Sequence, residues 1–241
     1  MKCLILAAGY GTRMQGIIGD RPKALVEVAQ ATLLDHLVTQ VNSLGIDITV
    51  VSNQRYVDQF ERWSHGSAVP IQLLNDGSTA VDNRLGAIGD MAFAIEAASL
   101  QDDLLILAAD NYLPFSLSGM IELFSRYRQI TLAVWKNDSA ADQQRRGVVA
   151  LDNEGCVAGF DEKPSQPASM LAAAPIYILP APLCHLPQQH LERGGNADAP
   201  GNLFAAQVGH YPMRAWMMPD RALDVGNPES YAQVMRMLNS P

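Results

Sequence analysis

Leu104 to Ala109 reads Leu-Leu-Ile-Leu-Ala-Ala, an apolar run with no polar residue at alternate positions. A strand with one wet face alternates, so an unbroken run predicts burial on both faces and a central place in a sheet. The run stops at Asp110-Asn111. In an open α/β sheet, ligands collect outside the carboxyl ends of the strands, so an acidic residue there stands where chemistry is normally done.

The rest of the first half alternates strand-like and helix-like segments. Lys2 to Ala7 is a first apolar strand. Leu33, Leu34, Leu37, Val38, Val41 and Leu44 recur at helical spacing, with Gly45 as a stop signal. Ile48 to Ser52 and Val69 to Leu74 read as strands, and Tyr56 to Trp63 and Gly86 to Ala98 as helices. This order predicts an α/β fold with a Rossmann-like, mainly parallel central sheet flanked by helices. The second half is richer in strands. Gly147–Leu151 and Cys156–Phe160 flank the turn Asp152-Asn153-Glu154-Gly155 as a hairpin. Ala173–Leu179 and Met213–Met218 are further strands, Pro228–Leu238 is a closing helix, and Gly194–Asn202 is expected to be a loop.

Of the 241 residues, 48% are hydrophobic and 17% charged, enough to build the core of one large domain over residues 1–241. A net charge of −8 excludes a nucleic-acid partner, because no dense basic cluster would neutralise a phosphate backbone. Arg145-Arg146, with Arg13, Arg21 and Lys23 elsewhere, suits a small phosphorylated ligand better. Cys3, Cys156 and Cys184 are odd in number and lack metal spacing, so each is expected to be a small buried residue. The opening apolar run is too short for a signal-peptide core, and no window reaches the length of a membrane span. A cytoplasmic protein with no membrane partner is the expectation; self-association is left open.

The first strand runs into Leu6-Ala7-Ala8-Gly9-Tyr10-Gly11-Thr12-Arg13-Met14, and Pro22-Lys23 follows. A strand that breaks into a glycine-rich turn exposes backbone N–H groups as an anion cradle, and Arg13 and Lys23 add two cations. Three better-known phosphate loops do not fit. No Gly-Lys-Ser/Thr triplet follows for a Walker loop. Met14 stands where a dinucleotide fingerprint requires Gly or Ala for close helix packing, and a glycine-rich kinase loop has the same need. Further along come Glu162-Lys163-Pro164 and Asp224-Val225-Gly226-Asn227-Pro228-Glu229-Ser230-Tyr231. Singly these have plain explanations: a strand-end turn at Asp110, a solvated charge pair at Glu162-Lys163, a helix cap at Asp224. The five histidines fit no ligand spacing, and the three tryptophans read as packing residues.

In this order the Gly-x-Gly-Thr-Arg loop, Pro-Lys, Asp-Asn, Gly-Val-Val hairpin, Glu-Lys-Pro and Asp-Val-Gly-x-Pro-Glu-x-Tyr resemble the sugar-1-phosphate nucleotidylyltransferases, especially the glucose-1-phosphate thymidylyltransferase type. The resemblance implies transfer of a nucleotidyl group from a nucleoside triphosphate to a sugar 1-phosphate, releasing pyrophosphate. It implies a nucleotide-binding half (residues 1–115) and an acceptor half (116–241). By the same resemblance Ala8, Gly9, Gly11, Thr12 and Arg13 would hold the triphosphate, with Arg13 on the leaving pyrophosphate and Lys23 on the α-phosphate. Asp110 and Asp224 would share a Mg²⁺ ion. Asn75 and Gly86 would face the base, while Asn111, Gly147, Glu162 and Lys163 would bind the acceptor, Lys163 through its phosphate. Two departures fall in the acceptor half. Ala174-Pro175-Ile176-Tyr177 stands where the family commonly has a glycine before its apolar-Tyr strand, and Gly194–Asn202 replaces a loop that usually supplies an acidic sugar contact. A cytidylyltransferase acting on phosphocholine or another non-sugar phosphate is therefore the alternative reading.

Overall fold

The computed structural model describes residues 1–239. Among them nine strands form one sheet: β1 (Lys2–Leu6), β2 (Asp47–Ser52), β3 (Ile71–Asn75), β4 (Leu104–Ala108), β5 (Ile130–Lys136), β6 (Gly147–Leu151), β7 (Val157–Glu162), β8 (Leu171–Leu179) and β9 (Met213–Met217). The path runs β7-β6-β8-β4-β1-β2-β3, with β5 paired to β8 and β9 to β5. The four strands β4, β1, β2 and β3 are mutually parallel. Helices α1 (Leu33–Asn42), α2 (Val57–Gly66), α3 (Ala87–Ala97), α4 (Ser118–Tyr127), α5 (Leu186–Glu192), α6 (Pro200–Ala205) and α7 (Pro228–Asn239) complete the α/β architecture.

The unbroken apolar runs have the cause expected of them. Along a strand successive side chains face opposite ways. Cys3, Ile5, Leu105 and Leu107 enter a core shared with α1, α2 and α4. Leu4, Leu104 and Ile106 enter a second core, shared with α3, α5 and α6. Both faces of the sheet are dry along Cys3–Ile5 and Leu104–Leu107, so the only polar residue of either strand is Lys2, at the partly exposed start of β1. Strand β8 joins the two halves: it pairs antiparallel with β4 over Ile176–Leu179 and with β6 over Leu171–Ala173. Its pairing with β5 shifts register between Ala173 and Tyr177. Pro175 lies at that break, where its missing N–H removes a ladder bond.

Several elements depart from expectation. Helices Ser118–Tyr127 and Leu186–Glu192 and strand Ile130–Lys136 go beyond it. The expected loop Gly194–Asn202 is helical from Pro200 onward. Pro-Gly-Asn reads as a breaker, yet proline is well suited to the first helical position, where its N–H would be unpaired anyway. Cys3 and Cys184 are buried as expected, whereas Cys156 is partly exposed. Among the described residues no helix is long and apolar enough to cross a membrane.

Candidate active site

A cleft of about 480 Å³ opens at the carboxyl ends of β1 and β4. Its floor is the loop after β1, where Gly11 adopts φ +58°, a left-handed backbone that favours glycine. A Cβ at Gly11 would also sit 3.3 Å from the Lys23 Cβ, so the bare backbone lets Lys23 close in beneath the loop. The loop is tied down on both sides. Asn53 Nδ2 donates to the Ala8 carbonyl at 2.8 Å, and the Tyr10 hydroxyl donates to Ser78 Oγ at 3.0 Å. Met14, fully buried, packs with Val28, Leu33, Val225 and Val234.

The two acidic motifs are brought together by a short ribbon. Asn111–Tyr112 pairs antiparallel with Leu223–Asp224, setting Asp224 opposite Asn111, and Val225 N donates to the Asp110 carbonyl at 2.9 Å. Their carboxylates then meet on one cation: Lys23 Nζ lies 2.8 Å from Asp110 Oδ2 and 3.4 Å from Asp224 Oδ1. Asp110 Oδ1 accepts from Asn111 Nδ2 at 2.7 Å. Gly226 makes room for this arrangement, since a Cβ there would stand 2.8 Å from Asp224 Oδ2. Among the described residues no group of three His, Cys, Asp or Glu side chains could hold a metal. Two hard carboxylates already converging on an ammonium do fit a divalent cation that takes its remaining ligands from phosphate oxygens and water, which is how Mg²⁺ is usually bound.

The remaining expected residues divide. Ala8, Gly9, Gly11, Thr12, Arg13, Lys23, Gly86, Asp110, Asn111 and Asp224 all line the cleft. Gly86 opens α3 at φ +78°, and a Cβ on it would lie 2.7 Å from the Ala197 carbonyl oxygen, which accepts from Ile88 N at 2.9 Å. The 194–199 loop therefore closes onto this glycine and caps the helix. Asn75, Gly147, Glu162 and Lys163 are not among the lining residues. Asn75 Nδ2 donates to Gln54 Oε1 at 2.7 Å and its Oδ1 accepts from Gly77 N. Glu162 turns into a niche beside Gly147 and Gly201, where a Cβ on Gly201 would fall 2.1 Å from Glu162 Oε2. Burial there raises its carboxyl above the usual range, partly offset by Lys163 at 3.8 Å. The Lys163 side chain is 61% exposed.

Five charged residues of the cleft were not among the residues assigned to the site, although Arg146 belongs to the basic pair read as suited to a phosphorylated ligand. Arg84 pairs with Asp198 at 3.0 Å across its mouth, and Arg146 approaches from the start of β6. Asp90, in the first turn of α3, is 6% exposed, and its Oδ1 has no hydrogen-bond partner among the described residues. Burial, with the charge and hydrogen bond of Asp76, pushes its carboxyl up to about 8. Asp76 in turn accepts from the backbone N–H and hydroxyl of Ser78, which joins the pair to Tyr10 and the glycine loop. A signal for Asp90 was present: it is the single acidic residue between Ala87 and Ala94. Arg13 makes no ion pair among the described residues, unlike the cleft's Lys23, Arg84 and Arg146.

Comparison with known proteins follows the same lines. The family model described as nucleotidyl transferase matches residues 2–240. The chain belongs to that family. It is similar to the UTP–glucose-1-phosphate uridylyltransferase of Synechocystis sp., 26% identical over 98% of this chain and 63% of that protein. It is also similar to the mannose-1-phosphate guanylyltransferase catalytic subunit beta of Drosophila melanogaster, 29% identical over 73% of this chain and 47% of that protein. The chain thus spans about half to two-thirds of the length of these curated relatives. The fold is that of a UDP-glucose pyrophosphorylase solved with UDP-glucose, with a TM-score of 0.80 at 18% identity over 98% of this chain and 97% of that one.

Proposed function

We propose that the chain catalyses attack of a sugar 1-phosphate on a nucleoside triphosphate. An oxygen of the acceptor's phosphate bonds to the α-phosphorus, the bond from that phosphorus to the β-bridging oxygen breaks, and pyrophosphate leaves. The acceptor phosphate is already an anion at neutral pH, so the reaction needs neither a protein nucleophile nor a general base. Its difficulty is electrostatic: two polyanions must be held in line.

The observation that carries this reading is the meeting of Asp110, Asp224 and Lys23 beside the glycine cradle. Backbone N–H groups of Gly9 to Thr12 are suited to the triphosphate. Arg13, unpaired with any carboxylate among the described residues, is free to turn to the pyrophosphate, where charge accumulates as the bond breaks. Lys23, held by Asp110 and Asp224, is the cation assigned to the α-phosphate. Asp110 and Asp224 would hold Mg²⁺, which when bound neutralises phosphate charge and aligns the two substrates. The pairing of a glucose-1-phosphate uridylyltransferase and a mannose-1-phosphate guanylyltransferase among the relatives supports a sugar acceptor and leaves base and sugar to experiment.

The test is a matrix of common nucleoside triphosphates against glucose 1-phosphate, mannose 1-phosphate and phosphocholine, read as pyrophosphate release with and without Mg²⁺. Release that requires a sugar phosphate and the metal is expected. Release without any acceptor, undiminished release in excess chelator, or preference for phosphocholine would each overturn the proposal.

A further inference from the structure

Arg146 is the one cation that the acceptor half contributes to the lining of the cleft among the described residues. It sits between the short helix Ala140–Gln143 and the start of β6, and its side chain is 27% exposed. The guanidinium is held from below. Asp142 Oδ2 accepts from Arg146 Nε and Asp142 Oδ1 from Arg146 Nη2, each at 3.3 Å. The Trp135 ring lies 5.8 Å away. Asp142 is itself fixed by Asn137 Nδ2 at 3.1 Å and shared with Arg221 Nη2 at 3.5 Å.

This arrangement has two consequences. A guanidinium carries five N–H donors, and the two bonds to Asp142 leave three for another partner. Two guanidiniums also share one carboxylate, so the group of Arg146, Arg221 and Asp142 keeps a net positive charge. A planar cation that is pre-oriented, part-shielded from water and short of anionic partners matches a phosphate group, which arginine binds through paired N–H donors. The alternative cation of this half, Lys163, is 61% exposed, sits 3.8 Å from Glu162 and does not line the cleft. Its backbone N–H instead donates to the Arg146 carbonyl at 2.9 Å, bracing the arginine from the neighbouring strand.

Resting on the nucleotidyl-transfer reading above, we infer that Arg146 grips the phosphate of the acceptor, with Asp142 and Trp135 orienting it. Arg13 and Lys23 then serve the triphosphate from one wall while Arg146 serves the second substrate from the other.

The experiment titrates wild type, Arg146→Ala, Arg146→Lys, Asp142→Asn and Lys163→Ala with glucose 1-phosphate by calorimetry, and measures KM for that acceptor and for the triphosphate. Expected is a ten- to hundred-fold loss of glucose 1-phosphate affinity in Arg146→Ala, the range for removing a charged hydrogen-bond partner. Acceptor KM should rise in parallel while triphosphate KM stays within about twofold. Arg146→Lys should recover part of the loss, and Asp142→Asn, which keeps the guanidinium but frees it, should weaken acceptor binding several-fold at unchanged triphosphate KM. Wild-type affinity in Arg146→Ala, an equal rise in both KM values, or a larger acceptor loss in Lys163→Ala than in Arg146→Ala overturns the inference. Binding is read without turnover, so a wild type that binds glucose 1-phosphate through Arg146 yet releases no pyrophosphate refutes the proposed function and upholds this site.

Discussion

Replacing Asp90 with asparagine should change how stability depends on pH in a calculable way. Asp90 is nine-tenths buried at the start of α3, beside Asp76, and its carboxyl is pushed up to about 8 by burial first and by the Asp76 charge and hydrogen bond next. In the unfolded chain the same group titrates near the ordinary value of about 4. The folded state therefore holds a proton that the unfolded state releases. The stability this proton brings is fully present below pH about 4 and is lost as pH rises through about 8. Between those values the slope from this group is about 1.4 kcal/mol per pH unit, so by pH 7 the loss is on the order of 4 kcal/mol. Asparagine keeps the shape, can donate to Asp76 through its amide and has no proton to lose. Every other titrating group is common to both proteins. Urea unfolding of wild type and Asp90→Asn at pH 5, 6 and 7 should then show the variant gaining on the wild type by about 1 kcal/mol or more with each unit. A gap that stays constant across that range would refute the reasoning. The functional reading of the same proton is electrostatic: it removes one negative charge from the wall of a cleft proposed to take a polyanion.

Asp110→Asn and Asp224→Asn should each lower Mg²⁺-dependent pyrophosphate release about 100-fold or more with little change in melting temperature, and undiminished release in either contradicts the proposed site. Gly226→Ala puts a methyl 2.8 Å from Asp224 Oδ2, so the carboxylate must swing away from Lys23. About a tenfold fall in kcat at nearly unchanged triphosphate KM is expected from steady-state kinetics, and wild-type kcat counts against the geometry. Met14→Ala removes a fully buried side chain and should cost about 2–5 kcal/mol in urea unfolding. A cost below about 1 kcal/mol would mean that its core relaxes into the space.

Much of this could be read from the residue order because the physics is local. β1 and β4 announce themselves as unbroken apolar runs because both sheet faces are covered. Gly11 marks its loop because a left-handed backbone favours glycine and a Cβ there would crowd the Lys23 Cβ. Asp110 advertises itself by ending a dry strand. What stayed hidden depends on partners distant in the chain. Arg146 becomes a cleft residue only because β8, broken at Pro175, bridges β4 and β6 and swings the hairpin toward the first half. Glu162 points to Gly201 because α6 begins at Pro200, and that helix was masked by residues that singly look like a turn. Asp90 had a local signal, a lone acid in an apolar helix, but its meaning required Asp76 to arrive from the end of β3.

Met14 joins these two kinds of information. In the sequence it is an exclusion, the side chain too large for a dinucleotide fingerprint. In the structure it sits wholly buried against Val225, the residue after Asp224, and against Val234 of α7. The glycine loop at one end of the chain and the second carboxylate at the other are thus keyed into one small core. Loop and carboxylate must keep a fixed spacing for Lys23 to meet both acids, and packing through Met14 supplies that constraint without placing any polar group in the way. On this argument Met14→Ala should loosen the site as well as the fold: at a temperature where the variant remains folded, kcat should fall by more than triphosphate binding weakens. Steady-state kinetics and triphosphate titration on the same preparation decide it, and parallel losses in the two would reduce Met14 to a stability residue alone.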